Sequence, residues 1–181
     1  MIGKWVILRS LLGDEFMYIL GIDPGYAIVG YGIVKYEGNK FTPVQYGAIT
    51  TPAGMPFVKR LDKIYNDLSE IMNTRKIDVL SIEKLFFNTN TTTAIDVAQA
   101  RGVIVLAAER NGVEVFEYTP LQVKQAVTGY GRAEKKQIME MTRVLLGLNA
   151  VPKPDDTADA LALAICHGHA GSNVLSKFIK M

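Results

Sequence analysis

The sequence predicts an α/β fold: a mixed five-stranded sheet, three antiparallel strands followed by two parallel ones, with helices on both faces. Three apolar segments near the N-terminus are separated by short turns, which is typical of an antiparallel meander. Beyond residue 51 the apolar residues recur at helical spacing, and two more short strands alternate with helices. Because a strand–helix–strand unit within one sheet is parallel and right-handed, strands four and five should extend the meander as parallel strands.

The first three strands are predicted at residues 18–23, 26–36 and 41–51. Pro24-Gly25 suits the centre of a type II turn, because proline fixes φ and glycine accepts a positive φ. The sequence Glu37-Gly38-Asn39-Lys40 predicts the second turn.

The rest of the chain predicts five helices, two strands and a basic loop. A helix begins beside Pro56, and Asp155 is expected to cap the N-terminus of the final helix, which ends near residue 167. The elements between them are a strand at 78–83, a helix at 93–110, a strand at 113–118, a short helix at 119–127, and a glycine-rich loop at 128–136 leading into a helix that ends near 146.

The chain has 181 residues, without repeats or low-complexity tracts, which predicts one domain at residues 17–170. Residues 1–16 combine an apolar patch with charges and show no cleavage site, so we interpret them as a poorly ordered extension. Residues 171–181 are expected to form a loose tail.

Composition excludes several classes of site. The net charge of +2 is too small to indicate nucleic-acid binding by itself, so any basic patch must be local. A single cysteine, Cys166, rules out a disulfide within the chain and predicts a cytoplasmic protein. With two histidines there is no plausible zinc site, so a metal ion would be a hard cation held by carboxylates. No apolar run is long enough for a membrane helix.

Four acids are the candidate catalytic and metal-binding residues. Asp23 ends the first strand and Glu83 ends the fourth, so parallel neighbours would bring both carboxylates to one sheet edge. Asp156 and Asp159, three residues apart, share one face of the last helix. Such a cluster needs a cation, and Mg²⁺ is the expected one. Individually, these acids are also compatible with a turn, a solvated strand end or a favourable helix dipole.

Basic and aromatic residues suggest a nucleic-acid surface. Lys124, Arg132, Lys135 and Lys136 surround the glycine-rich loop, where cations and backbone amides can bind phosphates. The alternative is a solvated helix face.

Three aromatic residues add to this prediction. Phe86 and Phe87 precede a polar stretch, and Tyr130 lies between two glycines, so each could stack on a base. The alternative is that one phenylalanine belongs to the core.

Five segments in collinear order resemble the RuvC family of Holliday junction resolvases. They are GIDPG, SIEKLFF, AQARG, VKQAVTGYGRAEK and DDTADALALA, and the resemblance spans about residues 17–167. It implies an RNase H-like fold and a homodimer that makes paired, Mg²⁺-dependent nicks across a four-way DNA junction in recombination and repair. Each nick would leave 5′-phosphate and 3′-hydroxyl ends.

The resemblance also implies residue roles. The acidic site of the family falls on Asp23, Glu83, Asp156 and Asp159, which would hold one or two Mg²⁺ ions, with Mn²⁺ as a substitute. The assisting lysines fall on Lys124 and Lys135, and the stacking aromatic falls on Phe86, with Phe87 beside it. The helix around residues 99–102 resembles the dimer-forming element. A RuvAB branch-migration partner is also implied.

Two other functions compete with this prediction. An actin-like ATPase shares the fold family and an acidic, glycine-containing hairpin, but it needs two such domains and an adenosine pocket. A non-catalytic junction-binding module would tolerate loss of the acids, and all four are present.

Overall fold

The computed structural model describes residues 16–85 and 91–171. None of the helices in these two ranges is both long and apolar enough to cross a membrane. The elements in chain order are β1 (Phe16–Asp23), β2 (Ile28–Glu37), β3 (Lys40–Thr50), α1 (Phe57–Thr74), β4 (Val79–Glu83), α2 (Thr91–Arg110), β5 (Glu114–Tyr118), α3 (Pro120–Thr128), α4 (Lys135–Leu145) and α5 (Asp155–Gly171).

The strands form one sheet in the order β3-β2-β1-β4-β5. β1 pairs antiparallel with β2, and β2 with β3. β4 pairs parallel with both β1 and β5. The predicted mixed sheet, three antiparallel strands followed by two parallel ones, is therefore confirmed.

The sheet has a hydrophobic core on each face, because the side chains of a strand alternate between faces. On β1, Ile19 packs into the core beneath α3, α4 and α5. Its neighbours Leu20 and Ile22 pack into the opposite core beneath α1 and α2. The prediction of helices on both faces is confirmed, and the two cores hold the strand ends rigidly.

Two predicted boundaries differ at the ends of the fold. β1 begins at Phe16, two residues before the predicted start, and Phe16 lies edge-on to Tyr18 with ring centroids 5.5 Å apart. α5 continues to Gly171, four residues beyond the predicted end.

The prediction that Asp155 caps the last helix is wrong. Asp155 is the first residue of α5, and its carboxylate Oδ1 lies 2.6 Å from the Nζ of Lys153. The ion pair with this neighbouring ammonium replaces the expected hydrogen bond to a backbone amide.

The type II turn predicted at Pro24-Gly25 is also wrong. Gly25 does not adopt a positive φ, which the second central residue of that turn requires. Glycine is instead needed for space, since a Cβ on Gly25 would lie 2.0 Å from the carbonyl oxygen of Ile28. The second predicted turn forms with positive φ at both Gly38 and Asn39, a pattern that suits a tight hairpin.

Candidate active site

Asp23 and Glu83 emerge on the same face of the sheet, at the C-terminal ends of adjacent parallel strands. The β1–β4 register pairs Gly21 with Ser81 and Ile22 with Ile82, which places the two acids at the next position. Ser81 faces α5, because its hydroxyl donates a 2.7 Å hydrogen bond to the carbonyl of Leu163. Two residues further along its strand, Glu83 faces α5 as well, and Asp23 shares this orientation with Gly21.

Close packing of α5 on the sheet brings the second pair of acids to this edge. A Cβ on Gly21 would lie 1.9 Å from the carbonyl oxygen of Ala160, and one on Gly30 would lie 2.0 Å from that of Asp156. The helix backbone therefore rests directly on β1 and β2 at positions that only glycine can occupy. Asp156 and Asp159, in the first turns of α5, are held beside Asp23 as a result.

Burial, together with the neighbouring charges, raises the pKa of three acids at this edge. Burial, together with the negative charges of Glu83, Asp159 and Asp156, raises the pKa of Asp23 from 3.8 to about 7. Burial and the charge of Asp159 raise the pKa of Glu83, and burial raises the pKa of Asp159. A cation at this edge would relieve the repulsion and favour the ionised carboxylates.

Two lysines line the same cleft. Lys135, the first residue of α4, places its Nζ 2.9 Å from Asp159 Oδ2 and 3.9 Å from Asp155 Oδ2. Lys124 on α3 lines a cavity of about 230 Å³ together with Lys135, Glu83 and Asp159. The structure thus brings both predicted lysines to the acidic edge.

The donor set suits a hard cation, and one of its carboxylates, that of Asp159, is paired with Lys135. Carboxylate oxygens are the protein ligands that Mg²⁺ prefers, and burial favours a counter-charge among them. Within residues 16–85 and 91–171, however, no three histidine, cysteine, aspartate or glutamate side chains form a group that could hold a metal ion. The chemistry of the residues fits the ion, while Asp159 is engaged by Lys135.

The predicted DNA-binding residues of the basic loop lie beside the cleft. Arg132 and Lys136 are exposed, and so is Tyr130. The hydroxyl of Tyr130 donates a 2.8 Å hydrogen bond to Gln137 Oε1, while the residue remains 46% exposed. Phe86 and Phe87 lie outside the described residues.

One contact at the site was missed by the sequence analysis. Arg101, in the AQARG segment predicted to form a dimer interface, points towards the sheet and forms an ion pair with Glu117 of β5. Its Nε also lies 3.5 Å from the carbonyl oxygen of Glu83. The opposite charges of Arg101 and Glu117 were the sequence feature that could have predicted this ion pair. A single sequence does not show, however, that α2 and β5 lie next to each other.

The fold and site define an RNase H-like protein whose carboxylates converge at one sheet edge, the arrangement of an acidic nuclease centre. The family model for the crossover junction endodeoxyribonuclease RuvC matches residues 19–167. The RuvC of Alkaliphilus metalliredigens is 62% identical over 155 residues, which make up 86% of this chain and 94% of that protein. The chain belongs to the RuvC family, and the predicted enzyme class, an endodeoxyribonuclease, is confirmed.

Solved structures agree with this assignment. Thermus thermophilus RuvC matches with a TM-score of 0.81 and 34% identity, over 86% of this chain and 96% of that one. RuvC of the same organism in complex with a Holliday junction substrate matches with a TM-score of 0.83 and 30% identity, over 91% and 100% of the two chains. The predicted RNase H-like fold is confirmed, and the actin-like alternative is not favoured.

Proposed function

We propose that this protein is a structure-selective endonuclease that resolves four-way DNA junctions by paired symmetric nicks, in homologous recombination and DNA repair. The observation that carries the proposal is the convergence of four carboxylates and two lysines on one sheet edge in a RuvC-family chain. The proposed substrate is the Holliday junction, which is also the ligand of the matched Thermus thermophilus complex. The proposed location is the cytoplasm.

The proposed metal ligands are Asp23, Glu83, Asp156 and Asp159. They would hold Mg²⁺, one or two ions per subunit, and Mn²⁺ could replace it. When bound, the metal supplies positive charge that activates water and offsets the charge developing on the phosphate. The negative charges of Glu83, Asp159 and Asp156 favour such binding, because a dication among them would offset the repulsion that helps to raise the pKa of Asp23 to about 7.

The chain's own residues bind and orient the scissile phosphate. Lys124 and Lys135 line the cavity beside Glu83 and Asp159, so their ammonium groups can contact phosphate oxygens and set the strand at the acidic edge. Attack of water at phosphorus breaks the bond to the 3′ oxygen. The products are a 3′-hydroxyl and a 5′-phosphate.

The proposed DNA-binding surface extends from the cleft along the basic loop. Arg132 and Lys136 are exposed cations suited to backbone phosphates, and the exposed ring of Tyr130 offers a stacking surface. Phe86 and Phe87 are proposed to stack on bases at the junction, as the family resemblance implies.

A homodimer is proposed through the outer face of α2. Ile95 is 69% exposed and Leu106 is 48% exposed, and Gln99 and Gly102 are exposed between them. These positions alternate at spacings of four and three residues, which forms one stripe along a helix. A two-fold dimer would present two identical sites to a two-fold symmetric junction. RuvAB is the proposed branch-migration partner.

The test is cleavage of a mobile four-way junction and of linear duplex DNA of matched sequence, each with Mg²⁺ and with chelator. We expect symmetric nicks on the junction only, and only with the metal. Equal cutting of linear DNA would contradict structure selectivity. Junction binding without any cutting would favour the non-catalytic module.

A further inference from the structure

Lys135 places a cation inside the acidic edge. Its Nζ lies 2.9 Å from Asp159 Oδ2, while the lysine side chain as a whole is 57% exposed and that of Asp159 is 29% exposed. The side chain thus reaches from solvent, at the N-terminus of α4, into the cluster. Four flexible methylene groups allow this ammonium to leave without any movement of the backbone.

The positive charge of Lys135 acts on more than one acid. Its Nζ lies 3.9 Å from Asp155 Oδ2 as well as 2.9 Å from Asp159 Oδ2, and its side chain lines the same cavity as Glu83. Lys135 is therefore a counter-charge for most of the cluster rather than the partner of one carboxylate. A neighbouring pair, Lys153 and Asp155, lies outside this role because Lys153 contacts only the outermost acid, at 2.6 Å.

We propose that Lys135 is an exchangeable internal cation, which neutralises the acidic cluster while no metal is bound and must release Asp159 before a metal can bind there. The inference deepens the proposed function and rests on it. It accounts for the ion pair between the Asp159 carboxylate and the exposed ammonium of Lys135.

The same exchange couples metal binding to DNA binding. A backbone phosphate entering the cleft attracts the exposed ammonium of Lys135 away from Asp159. The freed carboxylate then becomes available to the metal. Because such coupling is reciprocal, DNA tightens metal binding, and metal tightens DNA binding, partly through this one side chain.

The experiment is calorimetric titration of Mn²⁺ into the DNA-free protein, comparing the parent with Lys135→Met. Methionine keeps most of the length of the side chain and removes its charge, and the exposed position of Lys135 leaves the cores intact. We expect Lys135→Met to bind Mn²⁺ at least about tenfold more tightly, because a positive charge adjacent to the ion is removed.

Lys124→Met is the matched control, since Lys124 lines the same cavity. Loss of a general positive potential would strengthen metal binding equally in both variants, whereas the proposal expects a change below about threefold for Lys124→Met. Equal effects of the two variants would overturn the proposal. So would an unchanged affinity in Lys135→Met, or binding undetectable in both the parent and Lys135→Met.

Thermal unfolding gives a second readout, independent of catalysis. In chelator, Lys135→Met should melt below the parent, because the carboxylates lose their counter-charge. With saturating Mn²⁺ the difference should vanish or reverse sign. A deficit that is the same in both conditions would indicate a merely structural ion pair and overturn the proposal.

One further variant separates failure of this inference from failure of the proposed function. Asp23→Asn should abolish Mn²⁺ binding in the Lys135→Met background if the acids are the metal ligands. If Asp23→Asn abolishes Mn²⁺ binding, but Lys135→Met alone binds Mn²⁺ with the same affinity as the parent, only the exchange proposal fails. If Asp23→Asn leaves Mn²⁺ binding unchanged, the proposed metal site itself is wrong.

Discussion

Asp23 is the acid of the site whose pKa is affected by all three of the other acids and by Lys135. It is held at the end of β1, and burial together with three neighbouring acids raises its pKa to about 7. This pKa, which the charge of Lys135 already lowers, leaves the Asp23 carboxyl partly protonated at neutral pH. Lys135 therefore offsets only part of the unfavourable burial and repulsion, and a metal ion would offset more of it in the proposed reaction.

A second buried titratable residue, His167, should make the free energy of unfolding depend on pH under acidic conditions. Its Nδ1 lies 2.8 Å from the hydroxyl oxygen of Tyr118, and burial lowers its pKa from 6.5 to about 4. Between these two values the unfolded chain binds more protons than the folded protein. The stabilisation is therefore complete above pH 6.5 and is lost as the pH falls towards 4.

The difference between the parent and His167→Gln isolates this effect from that of Asp23, whose raised pKa acts in the opposite direction. The parent's advantage in free energy of unfolding should shrink by up to about 3 kcal/mol between pH 7 and pH 4. Urea unfolding in chelator at several pH values measures it. A difference that does not depend on pH would contradict the buried, neutral imidazole.

For individual residues, the sequence predicts where the acids of the site lie, but it does not predict which side chains pair with them. The strand ends locate Asp23 and Glu83, and the three-residue spacing locates Asp156 and Asp159, because both are local rules. The ion pair between Lys135 and Asp159 joins two helices and depends on their packing. The hydrogen bond between Tyr118 and His167 likewise joins β5 to α5.

Among the helices and strands, the contact between α5 and the sheet determines where Asp156 and Asp159 lie relative to Asp23. The sequence analysis predicts the helix but not its distance from the strands. In the structure the carbonyl oxygen of Asp156 occupies the space that a Cβ on Gly30 would need, so Gly30 is required for this close packing. Such contacts cannot be predicted from the sequence, since they depend on how far a helix sits above the strands.

Gly30→Ala should displace the start of α5 and the acids it carries. A Cβ 2.0 Å from a backbone oxygen requires the helix to shift, so we expect a loss of about 1–3 kcal/mol in the free energy of unfolding. Cleavage should fall at least about tenfold while junction binding persists, because positioning errors affect the reaction step more than DNA binding. Denaturation and single-turnover cleavage measure the two effects.

Gly47→Ala is the control for that substitution. Gly47 lies on β3, and the three atoms nearest to its added Cβ all belong to the side chain of Tyr31, the hydroxyl oxygen being nearest at 3.2 Å. This contact can relax by a small side-chain movement, so stability and cleavage should stay near the parent values. Cleavage by Gly30→Ala at the parent rate would show that α5 need not rest on β2.

For the whole molecule, the proposed homodimer rests on the exposed stripe along α2, which includes the apolar side chains of Ile95 and Leu106. Leu106→Glu should place a charge in that interface and yield a monomer, detected by sedimentation velocity. Val58→Glu is the matched control, because Val58 is 73% exposed on α1, outside the stripe. A Leu106→Glu protein that remains as dimeric as the parent would place the interface elsewhere.

The central claim is that the acidic sheet edge cuts the junction, and Asp23→Asn tests it most directly. The substitution keeps the shape of the side chain and removes the charge, so the fold and the basic loop should still bind a four-way junction with near-parent affinity. Cleavage mapping with Mg²⁺ should show the paired nicks of the parent and at least about a thousandfold lower rate in the variant. Paired nicking by Asp23→Asn at the parent rate would contradict the account.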